Sequence, residues 1–129
     1  MNKEKQKVHI PYRNMAMKVK RKMIPYRVIA MELCKLFSLP LPYTIEEMRV
    51  YNWERSSAGK VILNHDSNHY KIRLKLQQVY DGIVKDIPKE RVIFTLCHEL
   101  AHTVYREHNA EHLCFTNELY AKAKELMVE

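Results

Sequence analysis

An α+β fold is what the sequence predicts, on three observations. An apolar stripe of helical period lies near the start, three short strand-like segments follow it, and two further helical stretches complete the chain. Helices kept apart from strands in this way imply a small antiparallel or mixed sheet packed on helices. At 129 residues the chain fits one domain that can bury a core without disulfides. Hydrophobic residues make up 47% and charged residues 29%, as in soluble globular proteins. No apolar run approaches the roughly 18 residues of a membrane span, which excludes membrane-protein classes. The N-terminal charges are not followed by the apolar segment of a secretory signal, so an intracellular protein of the nucleus or cytoplasm, monomeric, is expected. Cys34, Cys97 and Cys114 are odd in number and never arranged as C-x-x-C, and read as reduced, mostly buried thiols.

Charge divides the chain at about residue 22. Residues 1–22 hold eight of the 22 Lys and Arg but only one of the 15 Asp and Glu, which leaves 14 of each sign for the rest. The whole excess of +7 therefore sits in an N-terminal arm, with Lys18, Lys20, Arg21 and Lys22 forming its densest run. Such an arm suits contact with a polyanion such as DNA, and equally a solubilising tail. Residues 1–22 are accordingly read as a basic arm and 23–129 as the folded domain.

The elements follow in order. Pro25 suits a first helical position, and Ile24, Val28, Ile29, Met31, Leu33, Leu36 and Phe37 predict a helix over 25–38. Pro40 and Pro42 then end it. Met48–Trp53, Lys60–Leu63 and Tyr70–Leu76 have strand character and turn-rich links, which predicts a meander. In the third segment Ile72, Leu74 and Leu76 alternate with Lys71, Arg73 and Lys75. A row of three cations thus backs a buried face, as a solvated surface or as a second nucleic-acid contact. Asp81-Gly82 marks a turn within a loop, and Asp86-Ile87-Pro88 starts a helix whose apolar side is Val92, Ile93, Leu96, Cys97, Leu100, Ala101 and Val104. The last helix is expected over 109–128, capped by Asn109, with Leu113, Thr116, Leu119, Tyr120, Ala123, Leu126 and Met127 inward.

The chemistry concentrates on the other side of the second helix. At 100° per residue His98, Glu99, His102 and Tyr105 share the face opposite the apolar one. His98 and His102, one turn apart, can direct imidazoles at a single ion, and Glu99 is badly directed for ligation but well placed to take a proton from a metal-bound water. This is the H-E-x-x-H pattern of zinc peptidases. His108, six residues later, supplies a third ligand, and three protein ligands leave a coordination position open for water, the mark of a catalytic zinc. One Zn2+ per chain and a protein or peptide substrate are expected. Tyr105 and His112 are candidates for oxyanion stabilisation or for holding the ligands, with ring packing for Tyr105 and a partly exposed position for His112 as the alternatives. His65 and His69 read best as a polar loop.

Beyond these local patterns, Ile72-Arg73-Leu74-Lys75-Leu76, the helix with His98-Glu99-Leu100-Ala101-His102, the third histidine His108 and the closing Glu118-Leu119 together resemble the WLM family of zinc peptidases. The resemblance covers about residues 70–119. It implies a zincin-like minimal metallopeptidase domain, zinc on His98, His102 and His108, Glu99 as general base, and kinship with Spartan and SprT-like proteases that cut proteins crosslinked to DNA. Four positions depart from the family pattern: Arg106-Glu107 replaces Gly-Pro, Asn109 replaces Asp, and His112 replaces a common Phe. A metzincin would need Gly where Tyr105 stands. A gluzincin arrangement would take Glu111 or Glu118 as third ligand. The reading from another class is a nucleic-acid-binding protein with a purely structural zinc.

Overall fold

The structure, a computed structural model, describes residues 21–48, 58–64 and 69–128. A single 3-10 turn (Arg21–Met23) leads into α1 (Ile24–Phe37). β1 (Thr44–Met48), β2 (Gly59–Asn64) and β3 (His69–Lys75) follow, then β4 (Gln77–Tyr80) and β5 (Ile83–Asp86), then α2 (Lys89–Ala101) and α3 (Ala110–Val128). The architecture is α+β. No described helix is long and apolar enough to cross a membrane.

α1 starts with Pro25 in its first turn, where the missing N–H costs nothing. It ends at Ser38, which takes a left-handed conformation (φ 57) and donates its N–H to the Cys34 carbonyl. The buried face is Tyr26, Ile29, Ala30, Leu33 and Cys34, a run of three- and four-residue steps. The stripe read from the sequence mixed two faces: Val28 and Leu36 are about half exposed.

The three-stranded sheet has the order β1-β3-β2, with β1 parallel and β2 antiparallel to β3. It is mixed and not the meander that local patterning suggests. Most of the first predicted strand, residues 49–53, lies outside the described residues, and the strand that pairs with β3 begins earlier, at Thr44. Its partner is 27 positions away, with Ile45 opposite Ile72, and no local turn signal can announce such a pairing. Ile45, Ile72 and Leu74 bury on one face against the helices.

The third strand departs from strict alternation at its end. Lys75 is buried like Leu74, and Leu76 falls between β3 and β4, half-buried. Burial lowers the Lys75 ammonium from its usual range. Lys71 and Arg73 do point outward, and both pair with Glu46 on β1, at 3.7 Å and 3.0 Å.

Asp81 and Gly82, both at positive φ (53 and 75), form the two-residue turn of a β4–β5 hairpin where a loop was expected. Its base is closed by Gln77 Nε2 donating to Asp86 Oδ1 and by the Ile87 N–H donating to the Leu76 carbonyl.

α2 buries Val92, Ile93, Leu96, Cys97, Leu100 and Ala101 at the centre of the core, between α1, α3 and the sheet. At about 25 cal/mol per Å² of apolar surface, each large side chain here contributes roughly 1.5–3 kcal/mol over an exposed one. α3 closes the core with Thr116, Leu119 and Ala123, and the edge-to-face pairs Phe37–Phe115 (5.8 Å) and Phe94–Tyr120 (5.2 Å) join it to α1 and α2. Two expected inward residues are outside: Leu113 is 57% exposed, and Val104, beyond the end of α2, is 50% exposed. Of the thiols, Cys34 and Cys97 are buried and Cys114 is exposed.

Candidate metal centre

α2 stops at Ala101 because its backbone tightens there. The His102 N–H reaches the Glu99 carbonyl, the Thr103 N–H the Leu100 carbonyl, and the Thr103 hydroxyl takes up that same carbonyl at 2.7 Å. The Val104 and Tyr105 N–H groups both fall on Ala101. The chain thereby reverses within a few residues, and α3 begins after Asn109, whose side-chain Oδ1 accepts the His112 N–H at 2.9 Å as an N-cap. This reversal brings His108 and the first turn of α3 back against the end of α2.

The result is a cluster of four imidazoles. His108 Nε2 lies 3.1 Å from both His98 Nε2 and His102 Nε2. His102 Nδ1 sits 3.0 Å from the Tyr105 carbonyl. A carbonyl can only accept, so Nδ1 carries the proton and Nε2 keeps its lone pair toward the cluster. Ring nitrogens this close repel unless they share a proton or a cation. Tetrahedral zinc with Zn–N of about 2.0–2.1 Å would space its nitrogens by about 3.3 Å, so the donor set fits such an ion.

His98, His102 and His112 also lie close enough to hold a metal ion, with ligand atoms within 4.8 Å of one another. Two contacts set His112 apart from His108. Its Nε2 donates to the His98 carbonyl at 3.0 Å, and its ring stacks on that of His102 with centroids 4.1 Å apart. The His98 carbonyl needs this donor, because the tightened helix end directs the His102 N–H to Glu99 instead. The geometry thus offers two candidates for a third nitrogen, His108 and His112, and the latter also braces the other rings.

His112 is buried at 3% exposure, not partly exposed as the sequence suggested. The inward stripe of α3 enters one residue earlier than expected, with His112 in the place given to Leu113. Tyr105 contributes its carbonyl; its ring packs edge-on against Phe115 at 5.9 Å. Glu111 and Glu118 are both exposed. His69 stacks on Tyr43 at the start of β3, and His65 lies outside the described residues.

Glu99 is buried at 6% exposure. Its carboxylate runs under the first residue of β2, and a methyl group built on Gly59 would lie 3.3 Å from Oε2. Burial pushes its carboxyl up to about 7. Burial likewise lowers the His98 imidazole, to about 4, with the other three histidines adding to the effect. A ring held neutral keeps its lone pair for a cation. His112 is lowered in the same direction, by burial first, against its bond to the His98 carbonyl.

The proposed nucleic-acid contacts divide. Lys18 and Lys20 lie outside the described residues, and Arg21 is exposed. Lys22 pairs with Glu47 at 2.9 Å, while Lys71 and Arg73 share Glu46 and Lys75 is buried.

No curated protein and no solved structure matches the chain. A family model does, over residues 54–129, which include β2, β3, the hairpin, α2 and the whole imidazole cluster. The chain belongs to the WLM domain family.

Proposed function

We propose that the protein is a zinc-dependent endopeptidase of zincin type, with His98, His102 and His108 as ligands and Glu99 as general base. The observation that carries this reading is the 3.1 Å approach of His108 Nε2 to both other Nε2 atoms, beside a buried carboxylate on the same helix. Bound there, zinc would supply a Lewis acid for the scissile carbonyl and a water acidified to a pKa of about 7. The chain's own residues do the rest. The Tyr105 carbonyl fixes the His102 tautomer, and His112 fixes the end of the helix through the His98 carbonyl. Glu99, shielded from solvent, accepts the proton given up by the attacking water and returns it to the departing amine nitrogen.

A polypeptide substrate suits the surroundings. The Gly59 end of β2 lies over Glu99, so an extended chain laid along this end of the sheet would run past the carboxylate. We assign DNA-bound or DNA-crosslinked proteins as the substrate class on the resemblance to Spartan and SprT-like proteases and on the basic residues of the arm. The cations of β3 are left out of that assignment, because Glu46 already occupies two of them.

The test is zinc content and cleavage of casein and of a DNA-crosslinked protein, for the parent and for Glu99→Gln. About one zinc per chain in both, with cleavage lowered at least about a hundredfold in Glu99→Gln, is the expected result. Equal rates would remove Glu99 from the chemistry. Zinc retained with no cleavage by the parent would leave a structural metal centre.

A further inference from the structure

We propose that Gly59 is a positioning residue for Glu99: the bare backbone at the start of β2 is the wall that sets where the carboxylate rests. This deepens the peptidase reading and rests on its assignment of Glu99.

The geometry is tight on three sides. A Cβ on Gly59 would lie 2.7 Å from Thr95 Cγ2, 3.0 Å from the Arg73 carbonyl oxygen and 3.3 Å from Glu99 Oε2. Carbon atoms in contact prefer about 3.5–4.0 Å. Thr95 and Glu99 are one turn apart on α2, so both present to β2 from the same face. The Arg73 carbonyl belongs to β3, which the sheet ladder fixes. Only the two side chains on α2 can yield, and Thr95 is tethered by its hydroxyl to the Arg91 carbonyl at 3.1 Å. Added bulk at residue 59 therefore presses on the Glu99 carboxylate as well as on the Thr95 methyl. The need here is closeness of approach, not unusual backbone angles.

Closeness has a second effect: with the strand backbone lying directly over it, the Glu99 carboxylate is shielded from solvent. A strand lifted by a side chain would both shift Oε2 and admit water.

The experiment separates wall from filler. Gly59→Ala is compared with Gly59→Ala/Thr95→Ser, in which the serine keeps the hydroxyl bonded to Arg91 and removes the methyl in the closest clash. Zinc per chain, urea unfolding midpoint, kcat and KM on casein are measured for both and for the parent. Expected is a lowered midpoint for the single variant, largely recovered by Thr95→Ser. In both variants kcat falls about tenfold to a hundredfold, with KM within about twofold and zinc retained. Recovery of kcat together with the midpoint overturns the proposal, since Gly59 then merely makes room for Thr95. If the parent cleaves nothing, the peptidase reading has failed, and unfolding alone decides the geometry. The penalty of Gly59→Ala, measured in the Thr95→Ser background, should shrink when Glu99→Ala removes the carboxylate. An unchanged penalty there overturns the proposal as well.

Discussion

The outer face of β3 and the front of α2 are two places, among the described residues, where the sequence repeats one kind of polar side chain at the period of its element. On β3 the repeat is Lys71, Arg73, Lys75; on α2 it is His98 and His102 with Glu99 between. The outcomes are opposite. Glu46 on the neighbouring strand neutralises Lys71 and Arg73, and the third cation is buried. On α2, among the described residues, no acid forms an ion pair with the imidazoles; a third and a fourth histidine are folded onto them. A period tells which side chains share a face, and the element packed opposite decides whether they are cancelled or concentrated.

That contrast can be broken most strongly at His108. His108→Ala removes the nitrogen in contact with both others, and zinc affinity should fall by well over a hundredfold, beyond what loss of a supporting group causes. Competition with a chromophoric chelator measures it, and retention of parental affinity would hand the ligand role to His112. Next comes the support of the same helix. Leu96→Ala hollows the fully buried back of α2 and should cost about 2–5 kcal/mol in urea unfolding, with the Glu99 chemistry intact in the protein that remains folded. A cost near zero would mean that α2 is not the centre of the core.

His112→Ala should weaken zinc about tenfold to a hundredfold, less than His108→Ala, because it deprives the His98 carbonyl of its donor and His102 of its stacking partner. Equal losses from the two substitutions would erase the distinction between ligand and brace. The smallest effect belongs to β3. Glu46→Gln frees Lys71 and Arg73, but these side chains are 40% exposed, so stability should change by less than about 1 kcal/mol and the change should fade in high salt. A loss that persists at high salt would show Glu46 holding β1 to β3 by something other than charge.

Much of the centre was legible in advance because its information is local. His98, Glu99 and His102 lie on one helical face, the apolar residues of α2 on the other, and Asn109 marks the next helix start; each follows from neighbours within two turns. What was missed depends on distant partners. β1 finds β3 across the β2 segment and pairs with it in parallel. The burial of His112 depends on a carbonyl fourteen residues away that lacks a donor only because α2 tightens at its end. Lys75 alternates correctly in sequence, and burial at the strand end overrides the alternation. Glycine at 59 reads as a turn residue, and only the strand passing over Thr95 and Glu99 reveals what it makes room for.

The β4–β5 hairpin enters and leaves through a closed door. Leu76 and Ile87 are hydrogen-bonded to each other at its base, with Gln77 and Asp86 clasped just above, while Tyr80, Ile83 and Val84 at the far end face solvent. The route from sheet to α2 is therefore short-circuited at residues 76 and 87. Evolution, or a protein engineer, can lengthen, trim or replace that arm at Asp81-Gly82 without re-registering α2.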